Sequence, residues 1–431
     1  MKRWTIVAAA AASVALAVAG CSGGSSGSGS GSSGGNKTLT VWLMTGSAPD
    51  AMMSQLDAQF EKAHPGVKVN YQVQQWDGIG QRLTGALASK NPPNIVELGS
   101  TDASGYSSQG TLADVTDWEG SLNGSQWNPG MKAAGEWQGK EYGVPFYAGD
   151  RVVIYNKSLF AKAGITAPPT SNQEWLDDIA KLKGSDPSDP NFQPLYLAGQ
   201  DWYVLLSFIW DQGGDVAKGV NGKWQGTLES PQAEAGINFY KQLVTASGTT
   251  APKDNDEAHP QQGDVFAKGD VAMMIGASSD ATEAEKSNPA IKSDIGAFPI
   301  PSATPGKTAP VFLGGSVLGV PVNSANQDLA KDWLTLMTSA TYQMQMETKG
   351  DWIPGTISDT SGLAADPVAA AGGTASHNGK STPAVPQWAT VENGQNPLKD
   401  MLTNVLTGTK TTDQAAKDAD TALTQILQAS S

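Results

Sequence analysis

Between Thr38 and Gly99 the spacing of apolar residues switches repeatedly between two and 3.6, and this order constrains the fold more than any other feature. In TLTVWLM, Leu39, Val41 and Leu43 fall on one face of a strand and Trp42 on the other. Met53, Leu56 and Phe60 then recur at helical spacing, and Pro65-Gly66 stops that helix. Val67, Val69, Tyr71 and Val73 alternate as a second strand, and Ile79, Leu83 and Leu87 form a second helical stripe. Asn91-Pro92-Pro93 breaks it before the short strand NIVELG. The order β-α-β-α-β implies a parallel sheet with helices on its faces. Ligands in such sheets lie beyond the carboxyl ends of the strands, here Thr45 to Ser47, Gln75 to Asp77 and Glu97 to Thr101.

A second rhythm starts after GVPFYAGDRVVIYN. Ser171 and Glu174 have capping-box spacing at the head of a helix carrying Trp175, Ile179 and Leu182. Ser230-Pro231 opens another helix, with a polar cap followed by proline at the first helical position. Its face carries Phe239, Tyr240, Leu243 and Val244. The strands VAMMIG, DIGAFPI and FLGGSVLGVPV alternate with these helices, so a second α/β lobe is expected. Two amphipathic helices end the chain, the last carrying Ala415, Ala419, Ala422, Ile426 and Leu427.

The first 35 residues have a different character. Lys2 and Arg3 precede an apolar run from Ile6 to Ala19, too short for a membrane span and ending in small residues. Residues 1–20 are therefore expected to be a cleaved export signal. Cys21, the sole cysteine, follows directly and resembles the lipobox of bacterial lipoproteins, in which the thiol is acylated. Ser22 to Gly35 holds only Gly and Ser, a flexible tether of roughly 20 Å root-mean-square reach. Later apolar stretches are too short to cross a bilayer, so the acyl chain is the expected anchor.

The body after the signal is longer than one hydrophobic core usually sustains, so two domains are expected. Its stability must come from packed cores, because no second cysteine exists for a disulfide. The formal charge of −14, without a basic cluster, excludes nucleic acid as a partner.

Catalytic motifs are nearly absent. G-x-S-x-G and G-x-G-x-x-G occur only within the Gly/Ser tract, away from any strand-to-helix turn. His64, His259 and His377 are isolated, so neither a zinc site nor a Ser-His-Asp triad is expected, and no cofactor. Tryptophan is more informative: thirteen Trp exceed the nine Tyr and the nine Phe, an inversion that points to sugar binding. Trp stacks its apolar face on the C–H face of a pyranose and keeps its N–H for a polar partner. Carboxylates, amides and Arg bind the neighbouring hydroxyls. Trp175 and Trp333 sit on helical stripes as core residues do, whereas Trp42, Trp76, Trp202, Trp352 and Trp388 are expected at strand ends or in loops.

The chain resembles the family 1 extracellular solute-binding proteins of carbohydrate ABC importers, of which maltose-binding protein is the familiar member. The likeness runs from Leu39 to Leu427 through FEKAHPGVKVNYQ, NPPNIVELG, YGVPFYAGDRVVIYNKSLFAKAGI, VFAKGDVAMMIG, GGSVLGVPVNSANQDLAKDWL and PAVPQWATVE. WLMTGSAP and QQWDGIGQRLTGALASKNPPNIVELG are similar to N,N'-diacetylchitobiose-binding lipoproteins.

The resemblance implies two α/β lobes with a ligand cleft between them and three hinge crossings, near Tyr147 to Arg151, Phe312 to Ser316 and Gly350 to Pro354. Residues 37–148 with 316–350 then form one lobe, and 149–315 with 351–431 the other. Glycines Gly149, Gly314 and Gly315 suit such crossings. Asp77 and Glu97 are expected to supply hydrogen bonds from the first lobe, and Trp202 or Tyr203 the stacking platform of the second. Trp42, Ser47, Trp76, Tyr147, Arg151, Ser316, Trp352 and Trp388 complete the expected ligand-binding set. Relatives often carry an aromatic soon after the strand that here reads VAMMIG, but this chain has Ala277-Ser278-Ser279, which puts one stacking subsite in doubt.

The expected function is capture of a neutral di- or oligosaccharide, without chemical change, by a monomer lipid-anchored on the extracellular face of the cell membrane. The sugar then passes to ABC transporter permease subunits. Two other readings stay open: a secreted glycosidase, whose cleft also combines Trp with carboxylates, and a binding protein for another small solute such as a polyamine.

Overall fold

A computed structural model describes residues 37–76, 78–185, 189–350, 352–355 and 361–429. The export signal, Cys21, the Gly/Ser tract and Asp77 lie outside the described residues. From Lys37 onward the chain is one compact unit holding two main sheets.

The first sheet starts as the sequence pattern implies. Strand β1 (Lys37–Met44) pairs in parallel with β2 (Val67–Gln74) and with β3 (Ile95–Gly99), in registers that include Val41 opposite Tyr71 and Val41 opposite Ile95. Helix α1 (Asp50–Ala63) buries Met52, Met53, Leu56 and Phe60, and α2 (Ile79–Leu87) buries Ile79, Leu83 and Leu87. Asn94 fixes the entry to β3, because its side-chain oxygen accepts from the Thr40 amide at 2.7 Å. The short helix α3 (Ala103–Ser108) follows β3.

The remaining strands of this sheet run antiparallel and come from distant parts of the chain. They are β4 (Gly143–Gly149), β8 (Gly314–Gly319) and β9 (Ile353–Pro354), giving the order β9-β4-β8-β3-β1-β2. The stretch FLGGSVLGVPV, read from sequence as alternating with second-lobe helices, therefore adds its central strand to the first sheet. Period-two patterning marks a strand without naming its partner, so this pairing was not visible locally. Gly315 makes the β4–β8 approach possible: its φ is +123°, and a Cβ there would lie 2.1 Å from the Tyr147 carbonyl oxygen.

The second sheet is antiparallel and three-stranded, β6-β5-β7, formed by β5 (Val152–Asn156), β6 (Met273–Gly276) and β7 (Ile295–Phe298). Only Asp150 and Arg151 separate β4 in one sheet from β5 in the other. Around it lie α4 (Asn172–Ser185), α5 (Trp202–Asp211) and α6 (Pro231–Ser247). The late helices α9 (Pro367–Ser376), α10 (Trp388–Asn393), α11 (Pro397–Thr407) and α12 (Thr412–Leu427) join the same core. Ser230 caps α6 by accepting from the Ala233 amide at 3.3 Å, with Pro231 in the first turn.

Each lobe has its own core. Leu39, Val41 and Leu43 pack with α1, α7 (Gln327–Met337) and α8 (Ala340–Gly350), while Val96 and Leu98 pack with α2. Trp333 is fully buried in the first of these, its indole N–H donating to Asp57 at 3.2 Å. Burial lifts the Asp57 carboxyl to a pKa of about 6. Trp175 is fully buried in the second lobe.

Candidate ligand cleft

A cavity of about 350 Å³ opens where the ends of β3 and β4 face α5 and α10. Its wall includes Trp76, Ser100 and Thr101 from the loops that follow β2 and β3, Tyr147 from β4, and Asp150 and Arg151 from the link to β5. Tyr203 and Phe312, Ala277 and Ser279, Trp352 and Glu392 close the other sides. Of the residues expected from sequence, Trp76, Tyr147, Arg151, Tyr203 and Trp352 thus come together on one cavity. Trp76 is 42 % exposed, a large aromatic surface left uncovered by protein. Trp352 leans against Tyr147, ring centres 4.4 Å apart, and its N–H donates to the Gly46 carbonyl at 3.2 Å. Ala277 and Ser279 present no ring, in keeping with the missing aromatic noted in the sequence.

Behind Tyr147 lies a buried polar cluster that holds it in place. Glu97 is completely buried and accepts from the Met44 amide at 2.7 Å, from Ser47 Oγ at 2.8 Å and from the Tyr147 hydroxyl at 3.2 Å. Ser316 Oγ donates to the same hydroxyl at 3.3 Å. Burial drives the Glu97 carboxyl above its ordinary range, and the four hydrogen-bonding neighbours pull the other way. Glu97, Ser47 and Ser316 were expected to touch ligand, but all three are buried and hydrogen-bonded within the protein. Their place is one layer deeper, where they fix the orientation of Tyr147.

The opposite wall is organised by Arg151. Its guanidinium lies 4.3 Å from the centre of the Tyr203 ring, with Nη2 2.7 Å from Glu257 and Nε 3.8 Å from Asp201. Burial disfavours its charge, but Glu257 and Asp201 outweigh that and leave the pKa raised, so Arg151 stays cationic. Tyr203 is stacked on Trp202 at 4.0 Å and on Phe312 at 4.8 Å, and Asp201 caps the helix by accepting from the Val204 amide at 3.2 Å. Tyr203 accordingly lines the cavity as part of a packed aromatic cluster, with the Arg151 guanidinium over its ring.

Three tryptophans expected at the ligand sit elsewhere. Trp202 is 2 % exposed and supports Tyr203 from the core side. Trp388 is fully buried, its ring centre 6.2 Å from that of Trp202, because it opens α10 and that helix packs inward. Trp42 is half-buried on the outer face of β1, packs against the α2 side of the sheet, and donates to Gln72 at 2.8 Å.

Asp150, Glu257 and Glu392 were not singled out from sequence. Asp150 is 6 % exposed and lines the cavity with Oδ2 lacking any hydrogen-bond partner, and burial raises its pKa well above the ordinary carboxyl value. Glu392 accepts from the Tyr203 hydroxyl, while its Oε2 is buried without a partner; burial raises its pKa too, against the pull of Tyr203 and the nearby Thr101. Asp150 and Glu392 thus place two carboxyl groups on the cavity wall, each with one buried oxygen that has no partner within the protein. The Asp-Arg pair after Gly149 was the available signal, since charges at a strand end lie beside the sheet's binding edge; Glu392 carried none. Among the described residues, no cluster of three or more His, Cys, Asp or Glu is placed to hold a metal ion.

Known proteins share this architecture. The profile of the bacterial extracellular solute-binding proteins matches residues 45–344. The diacetylchitobiose-binding protein DasA of Streptomyces coelicolor is 39 % identical over 379 residues, covering 88 % of this chain and 87 % of that protein. Among solved structures, the sugar-binding protein MalE of Xanthomonas citri superposes with a TM-score of 0.78 at 21 % identity, over 91 % of this chain and 97 % of that one. The GacH receptor of Streptomyces glaucescens does so with a TM-score of 0.76 at 24 % identity, over 92 % and 100 %. The structural likenesses establish the two-lobed fold; the profile and the DasA match go further, and this chain belongs to the bacterial extracellular solute-binding proteins.

Proposed function

We propose that the protein captures a neutral di- or oligosaccharide of the N,N'-diacetylchitobiose class in the cleft and releases it unaltered to the permease subunits of an ABC importer. The observation that carries this reading is the composition of one cavity wall: the aromatic side chains of Trp76 and Trp352 beside the carboxyl groups of Asp150 and Glu392. Stacking rings next to carboxyl groups suit a pyranose ring with its hydroxyl and acetamido N–H groups. The 39 % identical relative, a diacetylchitobiose-binding protein, supports the same ligand class. Family and relative are binding proteins, which supports capture without reaction. The glycosidase reading is disfavoured on the same ground.

Cys21 anchors the mature protein to the outer face of the membrane in this reading, and residues 37–148 with 316–350 move against 149–315 with 351–431 as a monomer closes on its sugar. Ligand at 100 times its dissociation constant should stabilise the fold by about 2.7 kcal/mol. A thermal-shift screen over oligosaccharides and polyamines tests this. Stabilisation by a chitin-derived sugar is expected; a shift with spermidine and none with any sugar would contradict it.

A further inference from the structure

Two carboxyl groups from opposite lobes meet where α3 approaches α10. Asp102 stands at the head of α3 in the first lobe, and Glu392 and Asn393 end α10, which packs into the second core. Asn393 Nδ2 donates to Asp102 Oδ1 at 2.9 Å. Glu392 lines the ligand cavity beside Thr101, the residue before Asp102. The groups that act on Asp102 are Glu392 across this contact and Tyr106 on α3. Glu392 accepts from the Tyr203 hydroxyl on α5 and has Arg151 and Lys399 nearby. Asp102 is half-buried and Asn393 exposed, so water reaches the outer side of the contact and protons can exchange there. Two ionised carboxylates oppose such an approach, whereas a proton on Asp102 relieves the repulsion and leaves Oδ1 free to accept from Asn393.

We propose that the meeting of Asp102 with Glu392 and Asn393 is a proton-operated latch between the lobes, which holds the cleft shut when Asp102 is protonated and loosens when it ionises. The direction of the effect follows from the two states of Asp102. In the contact its pKa is raised to about 7, by burial first and Glu392 second. Once the lobes part, the carboxyl returns to water and to its ordinary value near 4. The latch is therefore strongest below about pH 4, weakens as pH rises, and loses nothing more above about pH 7. A sugar enclosed by both walls of the cavity binds the latched arrangement, so its affinity should follow the same course. That last step rests on the oligosaccharide reading above; the latch itself does not.

Small-angle X-ray scattering of the unliganded mature protein tests the latch without any sugar. The radius of gyration should be larger at about pH 7.5 than at about pH 5, and Asp102→Asn, which cannot ionise, should stay compact at both. Asn393→Ala acts from the other lobe and should already be expanded at the lower pH, so it decides the matter if the Asp102 variant fails to fold. Calorimetric titration with N,N'-diacetylchitobiose then reads the coupling to capture. Affinity should fall by at least about tenfold between these pH values, the equivalent of one pKa unit, with net proton uptake on binding near pH 6. Asp102→Asn should abolish both the pH dependence and the uptake. A parent radius independent of pH, an Asp102→Asn variant that expands as the parent does, or an Asn393→Ala variant as compact as the parent at low pH would overturn the latch. Failure of the parent to bind this or any other sugar would overturn the oligosaccharide reading, while the scattering result still judges the latch.

Discussion

Asn393 on α10 donates to Asp102 beside α3 at 2.9 Å, a direct hydrogen bond from the second lobe to the first. Asp102 pays for its position electrostatically. Burial first, and the neighbouring Glu392 carboxylate second, lift its pKa to about 7, while the Asn393 bond pulls it down.

That shift sets a pH dependence. Because the folded value lies above the unfolded carboxyl value near 4, the folded state holds a proton that the unfolded chain gives up, and stability falls as pH rises from about 4 to about 7. Each pKa unit corresponds to about 1.4 kcal/mol before screening. Asp102→Asn keeps the acceptor for Asn393 and removes the titration. Melting curves of the unliganded protein between pH 4.5 and 7.5 should therefore show a shallower decline for the variant, and a higher melting temperature than the parent at pH 7.5. An unchanged slope would contradict the shifted carboxyl.

The tryptophans divide by burial. Trp202→Ala and Trp388→Ala should each cost roughly 3–5 kcal/mol of stability in denaturant unfolding, because both leave cavities in the second core. Trp76→Ala should spare the unliganded melting temperature and weaken sugar binding by at least about 2 kcal/mol, roughly thirtyfold. Trp352→Ala should do the same with a modest stability loss, since the ring also rests on Tyr147. Sugar titrations paired with melting curves separate the two groups.

Much of this division was legible in the sequence and part was not. Helical spacing identified Trp175 and Trp333 as core residues, and the β-α-β-α-β order located the binding edge on which Trp76 stands. Trp202 and Trp388 were misplaced because each begins a helix, and an N-terminal helical position looks like a loop end until the packing direction is known. Glu97 was misplaced for a related reason: a carboxylate at a strand's carboxyl end can point outward to ligand or inward to the Met44 amide, and residue type does not distinguish them. Glu392 depends on contacts with Thr101 and Tyr203 that lie hundreds of residues away, a relationship no local pattern encodes.

Gly315 tests the junction of the lobes. Its φ of +123° and the 2.1 Å approach to the Tyr147 carbonyl leave no room for a methyl group. Gly315→Ala should destabilise the protein by at least about 1–3 kcal/mol in urea unfolding and displace Tyr147 enough to weaken binding. An alanine variant as stable as the parent would show that β4 and β8 separate more freely than their pairing implies.

The proposed membrane attachment rests on one residue. Cys21→Ser should leave melting and sugar binding unchanged but release the protein into the medium, because a Gly/Ser tether has no affinity for lipid. Cell fractionation reads this directly, and a variant that stays with washed membranes would exclude the acyl anchor.

In the proposed function the cleft captures a chitin-type sugar and releases it unmodified. Isothermal titration of the mature protein with N,N'-diacetylchitobiose, followed by assay of the recovered ligand for new reducing ends, tests it most directly. Saturable binding with one site, weakened by Asp150→Asn and by Glu392→Gln, and full recovery of intact disaccharide are predicted. Absence of saturable heat with this sugar, or appearance of cleaved product, would contradict it.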